Sequence, residues 1–334
     1  MEMRPWTPDS LAEVARAFQK SRILLTGAEL DIFTRLGREA KSSKELSQEL
    51  GLDERAATIF MDALAALGLL DKEGSLYRTP SYLYPYLSSE SEKSIIPLIL
   101  HMGSLWRRWG SLSRVLVEGT PEGASPWEER SDEERRAFIG AMHVLARNLA
   151  PEIVSSVNLE GVRRMLDVGG ASGTYTVAFL RAKEDLRATI FDLPKVIPMA
   201  RERLEREGLL HRVELVGGDF ERDPLPPGHD LVFLSAIVHQ NSRSQNRALF
   251  AKARDALVPG GRILIRDHVM DPSRTKPVAG AIFAVNMLVS TKGGNTYTFQ
   301  ELEEDLLASG FAKVAWIRRG ERMDCLIEAE KAAG

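Results

Sequence analysis

One cysteine in 334 residues, Cys325, excludes an intrachain disulfide and any cluster of thiolate metal ligands. No run approaches the roughly 18 consecutive apolar residues that a membrane-spanning helix needs. The opening MEMRPWTPDS lacks the apolar core of a secretion signal. An excess of one charge is missing too: 44 Lys and Arg stand against 47 Asp and Glu, a net of -3. That balance offers no general attraction to nucleic acid or to an acidic membrane surface. The six histidines show no ligand spacing with carboxylates or thiols, so no metal is expected. Fixed-period repeats and low-complexity tracts are absent as well. Together these absences lead to the expectation of a soluble, cytoplasmic protein with no nucleic-acid or membrane partner.

What is present is the composition of a globular chain, 44% apolar and 27% charged, too long for one ordinary core. The texture changes near residue 160. Before it, SSKELSQELGLDERAATIFMDALAALGLL reads as two helices, with Ser42 and Glu45 at capping-box spacing and Gly51 as the stop. Asp53 can cap the second helix, where Ala56, Ile59, Phe60, Ala63, Leu64 and Leu67 are expected to line one face. A hairpin turning at Gly74 follows, and the set suggests a winged helix. The stretch from about 94 to 158 is again helical, interrupted by an acidic connection over 118–134.

After residue 160, seven β-rich runs begin at RMLDVG and end at CLIEAEK, most of them separated by helices, notably 174–184, 194–207, 243–257 and 298–309. This is the α/β pattern of an open doubly wound sheet, whose ligands bind at the carboxyl ends of the strands. The last two runs have no helix between them, so the final strand is expected to run antiparallel to its neighbour.

The segment MLDVGGASGTYT ends an apolar run in Asp167 and then turns through Gly169, Gly170 and Gly173, where a ligand meets no Cβ. Asp192 closes the next strand, placed for ribose hydroxyls, and Asp219 closes the third, placed for an adenine amino group with Phe220 beside the ring. A pyrophosphate would be repelled by Asp167, whereas a cationic sulfonium carrying an amino-acid tail would not. No GK[ST] follows, so a P-loop is excluded. Asp192 alone leaves NAD open; Asp167 and Asp219 favour S-adenosyl-L-methionine. Read separately, Asp192 is a helix cap before Pro194 and Asp219 is turn chemistry.

The motifs LDVGGASGTY, FDLPKVI, GGDF, LSAIVHQNS, LVPGGRILIRD and TKGGNTYTFQELEEDLLASGF fall in order over nearly the whole chain. They resemble the caffeate/hydroxyindole type of S-adenosylmethionine-dependent O-methyltransferases and their bacterial natural-product relatives. The resemblance implies a winged-helix dimerisation domain over 1–92 that makes a homodimer. It further implies a helical linker over 93–158 serving the substrate pocket and the dimer, and a seven-stranded catalytic domain over 159–334. Implied cofactor contacts are Asp167, Gly169, Gly170, Gly173, Asp192, Leu193, Gly218, Asp219, Phe220 and Ser235, with S-adenosyl-L-homocysteine as product. Ala171 stands where the family usually has glycine.

The implied reaction transfers a methyl group to a hydroxyl, expected to be phenolic, of a small aromatic natural product. A phenol titrates at roughly 10, so a base assists at neutral pH, and imidazole is well matched. His239 matches the family's base, and Asp267 the acid that fixes its tautomer. Read without the family, His239 is a polar residue ahead of a helix cap at Asn241 and Ser242. Gln240 and Thr296 replace acids common in the plant enzymes. His268 is expected on the opposite face from Asp267, because side chains alternate along a strand. Phe138, Met142, Asn286 and Met287 match acceptor-lining positions, although Met or Phe at helical spacing is more often core. Trp106, Trp109, His101 and His143 are expected to serve packing.

Three rivals remain. A winged helix reading DNA needs outward basic side chains, yet its second helix offers only Arg55 beside Asp53, Glu54 and Asp62. The same fold and cofactor serve C- or N-methylation or a non-methylating reaction. A NAD-dependent dehydrogenase is the third.

Overall fold

The computed structural model describes residues 5–37, 39–120 and 131–332; most of the acidic connection over 118–134 lies outside them. Contacts divide the chain into two units, Met1–Arg107 and Arg108–Gly334. The division falls inside the helical segment 93–158, not at either of its ends.

The first unit comprises α1 (Pro8–Glu29), α2 (Ile32–Leu36), β1 (Lys41–Ser42), α3 (Ser43–Leu50), α4 (Glu54–Ala66), β2 (Asp71–Glu73), β3 (Leu76–Arg78), α5 (Tyr84–Leu87) and most of α6 (Ile96–Trp109). Local chemistry sets the boundaries. Ser42 and Glu45 form a reciprocal capping box, Gly51 ends α3 at φ +66°, and Asp53 Oδ1 accepts from the Ala56 amide at 2.7 Å. β2 and β3 pair antiparallel around Gly74, and β1 adds to β3, completing the wing. The face of α4 is corrected in part: Leu64 is buried and Phe60 packs on the core as expected, but Ala57 and Met61 are buried with them, whereas Ala56 is exposed and Ile59 is 55% exposed. Two polar anchors turn the helix this way. Thr58 bonds Ser43, and Asp62 reaches Lys72 and the Tyr77 hydroxyl.

The second unit begins with α7 (Leu112–Glu118), α8 (Asp132–Ala146) and α9 (Ala150–Ser155). β4 (Arg164–Val168), α10 (Thr174–Ala182), β5 (Arg187–Asp192), α11 (Ile197–Arg206), β6 (Val213–Gly217), β7 (His229–Ser235), α12 (Arg243–Ala256) and β8 (Leu257–Asp267) follow. A two-residue pair, β9 (Val269–Met270) with β10 (Tyr297–Thr298), flanks α13 (Val278–Ser290); α14 (Phe299–Ala308), β11 (Phe311–Arg318) and β12 (Cys325–Lys331) close the chain.

The seven-stranded sheet has the order β11-β12-β8-β7-β4-β5-β6, with β12 antiparallel to both neighbours and the other pairings parallel. Alternation sorts its core onto two faces. Met165, Leu231, Phe233, Leu264 and Leu326 face one layer, while Leu166, Val232, Leu234, Ile263 and Ile327 face the other. Central strands buried on both faces need such continuous apolar runs. The winding direction reverses between β4 and β7, which places the crevice at their carboxyl ends. A Cβ on Gly169 would lie 2.4 Å from Ile237 Cδ1, so the segments leaving these two strands touch there.

Candidate active site

β7 ends at Ser235, and Ala236 takes the left-handed φ of +58° while its amide bonds the Arg266 carbonyl at 2.9 Å. A single 3-10 turn, Val238–Gln240, then presents His239. The turn is held from behind. Asn246 donates to the Val238 carbonyl at 3.0 Å and accepts from Asn241 at 3.1 Å, and the Asn295 amide donates to the His239 carbonyl at 2.9 Å.

Asp267, at the end of β8 and 2% exposed, meets His239 Nδ1 through Oδ1 at 2.8 Å and Oδ2 at 3.0 Å. Its oxygens also accept from the backbone amides of His239 at 3.2 Å and His268 at 2.7 Å. Burial by itself would raise the carboxyl. The charge and hydrogen bond of His239 and the His268 amide outweigh burial and hold it below its usual value. With Nδ1–H donated to Asp267, the lone pair resides on Nε2, which no protein group engages among the described residues. Phe283 packs edge-on against His239, with ring centroids 4.7 Å apart.

The two replaced acids lead elsewhere. Gln240 is exposed, and the buried Thr296 hydroxyl donates to the Gly280 carbonyl at 3.4 Å. His268 departs from expectation. The ladder breaks between β8 and β9, alternation lapses, and its ring lies 4.9 Å from Phe283, the same ring that meets His239.

At the β4 end, Gly169 and Gly173 adopt φ +68° and +74°, and Gly173 starts α10. Gly170 leaves room for the Asp167 carboxylate, 3.0 Å from where its Cβ would sit. Ala171 has φ +51°, so glycine at this position relieves the backbone as well as making room. Asp192 receives the Ala171 and Leu193 amides at 2.8 and 2.7 Å. Burial pushes its carboxyl to about 6 despite those two donors. Asp167 is turned beneath the loop onto the Thr176 hydroxyl at 2.6 Å and does not stand on the open rim. Burial raises it to about 7, against the Thr176 bond and with a contribution from Asp192.

At β6, Gly218 sits against Phe191, and the Asp219 carboxylate accepts from the Glu221 amide at 2.9 Å. Phe220 packs on the core beside it. Ser235 accepts from Arg266 Nη1 at 2.8 Å. Of the acceptor-lining expectations, Asn286 and Met287 are buried on α13, and Asn286 Oδ1 accepts from Trp109 Nε1 at 3.1 Å. Phe138 and Met142 are half-buried on α8. His143 bonds the Thr174 hydroxyl at 2.9 Å, and Trp106 lies near Phe18 with ring centroids 6.1 Å apart. Phe283 and Ala236 had no signal in the sequence, since α13 is apolar on every side and a left-handed alanine reads as any other.

Neither Asp167 nor Asp192 has an ion-pair partner among the described residues. Asp192, at the end of β5 beside the glycine turn, is the carboxyl placed to meet a ligand, whereas Asp167 braces the loop from beneath through Thr176. The glycine turn and Asp192 lie together at the switch point of the doubly wound sheet, where a nucleoside cofactor fits.

The comparisons agree. Residues 109–312 match the O-methyltransferase domain, and residues 12–83 match the O-methyltransferase dimerisation domain. The 3-hydroxy-5-methyl-1-naphthoate 3-O-methyltransferase of Streptomyces sahachiroi is 33% identical over 317 residues, 93% of this chain and 91% of that one. The N,N-dimethyltransferase OxyT of Streptomyces rimosus is 28% identical over 328 residues, 95% of this chain and 93% of that one. Human N-acetylserotonin methyltransferase, solved in complex with SAM, superposes with a TM-score of 0.84 over the whole of both chains at 24% identity, a likeness of fold. The chain belongs to the O-methyltransferase family and is a methyltransferase that uses S-adenosyl-L-methionine. Among the described residues, no helix is long and apolar enough to cross a membrane.

Proposed function

We propose that the enzyme methylates a phenolic hydroxyl of a small aromatic natural product, with His239 as general base and Asp267 as the group that orients it. The observation that carries this reading is the imidazole tied through Nδ1 to a buried carboxylate, with Nε2 left over at the carboxyl edge of the sheet. When bound, S-adenosyl-L-methionine supplies the methyl group and its own leaving group. Asp192 and Asp219 would hold the ribose and adenine, with Leu193, Gly218 and Phe220 about the ring. Gly169, Gly170, Gly173 and Ser235 would border the amino-acid end, with Asp167 bracing the loop from beneath through Thr176. His239 takes the phenol proton at Nε2, and Asp267 stabilises the resulting imidazolium. Phe138, Met142, Asn286 and Met287, joined by Phe283, offer an apolar wall with one amide.

The matched dimerisation domain and the exposed stripe of Leu11, Val14 and Phe18 on one face of α1 support a homodimer through the first unit. We infer a cytoplasmic location for the enzyme.

The test is the pH profile of His239→Ala. General-base loss lowers kcat/KM about 10²–10⁴-fold near pH 7. The deficit shrinks as pH approaches the phenol value of roughly 10, where the acceptor ionises unaided. Turnover equal to the parent at neutral pH overturns the base assignment. The name of OxyT favours a second reading, N-methylation, in which a neutral amine needs no base and His239→Ala has little effect at any pH.

A further inference from the structure

From Val278 to Val289, α13 carries apolar or small residues at every position but one, Asn286, which is 9% exposed. Asparagine is a weak helix former and its amide is costly to bury, so hydrocarbon would serve the helix better there.

The amide is held at one end. Trp109 Nε1 donates to Asn286 Oδ1 at 3.1 Å. An indole N–H only donates, so the amide must offer Trp109 its oxygen and cannot be turned over. The NH₂ is thereby directed away from the indole. It makes no hydrogen bond among the described residues, yet it keeps accessible surface, unlike the sealed Ser290 hydroxyl one turn further on. An open donor among apolar groups rewards a ligand oxygen and penalises a ligand that offers hydrocarbon instead.

Phe283 relates this donor to the proposed base. It lies one turn before Asn286 on the same face of α13, about 4.5 Å along the axis. Its ring stands edge-on against His239. An aromatic acceptor whose hydroxyl meets His239 therefore runs alongside α13 and brings its further end to Asn286.

We propose that Asn286, oriented by Trp109, selects aromatic acceptors that carry a carbonyl oxygen, of a ketone or a carboxylate, on the ring system beyond the hydroxyl. Asn286 Nδ2 donates to that oxygen, and Trp109 is a positioning residue that keeps the donor turned toward it. The inference rests on α13 being a wall of the acceptor site, as in the reading above, but not on which group takes the proton.

Isothermal titration of the full chain, saturated with S-adenosyl-L-homocysteine, reads affinity without turnover. The probes are 7-hydroxy-1-tetralone, 7-hydroxy-1-naphthoate and 5,6,7,8-tetrahydro-2-naphthol, the last having CH₂ where the tetralone has C=O. At least one carbonyl probe is expected to bind about tenfold more tightly than the hydrocarbon, and which one does so tells ketone from carboxylate. Asn286→Leu is expected to erase that preference; if it fails to melt cooperatively, Asn286→Met takes its place. Trp109→Phe is expected to shrink the preference about threefold, whereas a merely structural role would weaken all three probes alike. His239→Ala is expected to keep the preference, so a failed base assignment and a failed selection are told apart. Probes that bind alike or not at all, or an Asn286 variant with the parent's preference, overturn the assignment. A Trp109→Phe enzyme weakened equally for every probe overturns the positioning role.

Discussion

Replacing Asp267 by Asn changes one atom and removes a charge at the centre of the proposed base. Three N–H groups converge on its two oxygens: His239 Nδ1 at 2.8 and 3.0 Å, the His239 amide at 3.2 Å and the His268 amide at 2.7 Å. A carboxylate accepts all three. A carboxamide has one oxygen and one NH₂, so in either orientation an N–H faces an N–H. Losing a buried hydrogen bond to a charged group costs about 1.5–3 kcal/mol, and the imidazolium formed during proton transfer loses its counter-charge as well. About 3 kcal/mol off the transition state corresponds to roughly 10²-fold in kcat/KM.

Stability is expected to fall by about 2–3 kcal/mol, at roughly 2–4 °C of Tm for each. The pH dependence has a definite sign. Because folding lowers the pKa of Asp267, its contribution is present above the unfolded value of 3.8 and is lost as pH falls through the folded one. Asp267→Asn removes that acid-side loss. Steady-state kinetics on a phenol panel with thermal melts across pH 3–8 measure both effects. A folded Asp267→Asn enzyme with kcat/KM within threefold of the parent refutes the orienting role.

Asp167 and Asp192, raised to about 7 and about 6, take up protons on folding, so their contribution is full below 3.8 and is lost as pH rises through 6 to 7. The Tm of the ligand-free protein should therefore decline from pH 5 to 8 on their account, and Asp192→Asn should flatten the decline; an unchanged slope contradicts the assignment. Ala171→Gly relieves a left-handed alanine by about 1–2 kcal/mol and gives back about 0.4–1 through the freer unfolded chain. Its Tm should stay level or rise slightly, and a fall of several degrees argues against strain at this position. Gly218→Ala places a Cβ 2.4 Å from Phe191 Cζ, and overpacking of about 1–3 kcal/mol should show in urea melts as a lower midpoint.

The sheet was readable because each strand carries its own pattern: RATIFD and DLVFLSA are continuous apolar runs that only a two-faced buried strand requires. The His239–Asp267 pair was readable because both residues lie where strands end, so their positions followed from the strand assignment. What stayed hidden depends on rotations and breaks that periodicity does not encode. On α4, Ala57 and Met61 joined Phe60 and Leu64 on the core in place of Ala56 and Ile59, while Thr58 and Asp62 took polar partners. His268 came round to Phe283 because the ladder stopped one residue earlier than the apolar run, and Phe283 itself lies on a helix without a polar face. Asp167 read correctly as an acid before the loop, but its direction was set by Thr176, nine positions later, which charge reasoning did not consult.

The turn that carries His239 is fastened mainly from the sheet side, by Asp267 beneath it and by Asn246 of α12 behind it. On the opposite flank, α13 presents a ring, an amide and a thioether that are free to vary without disturbing either anchor. In the proposed reaction, proton handling and acceptor choice would thus be mounted on different supports. A lineage built this way can trade one aromatic scaffold for another by rewriting a single helix, and still inherit its imidazole already aligned.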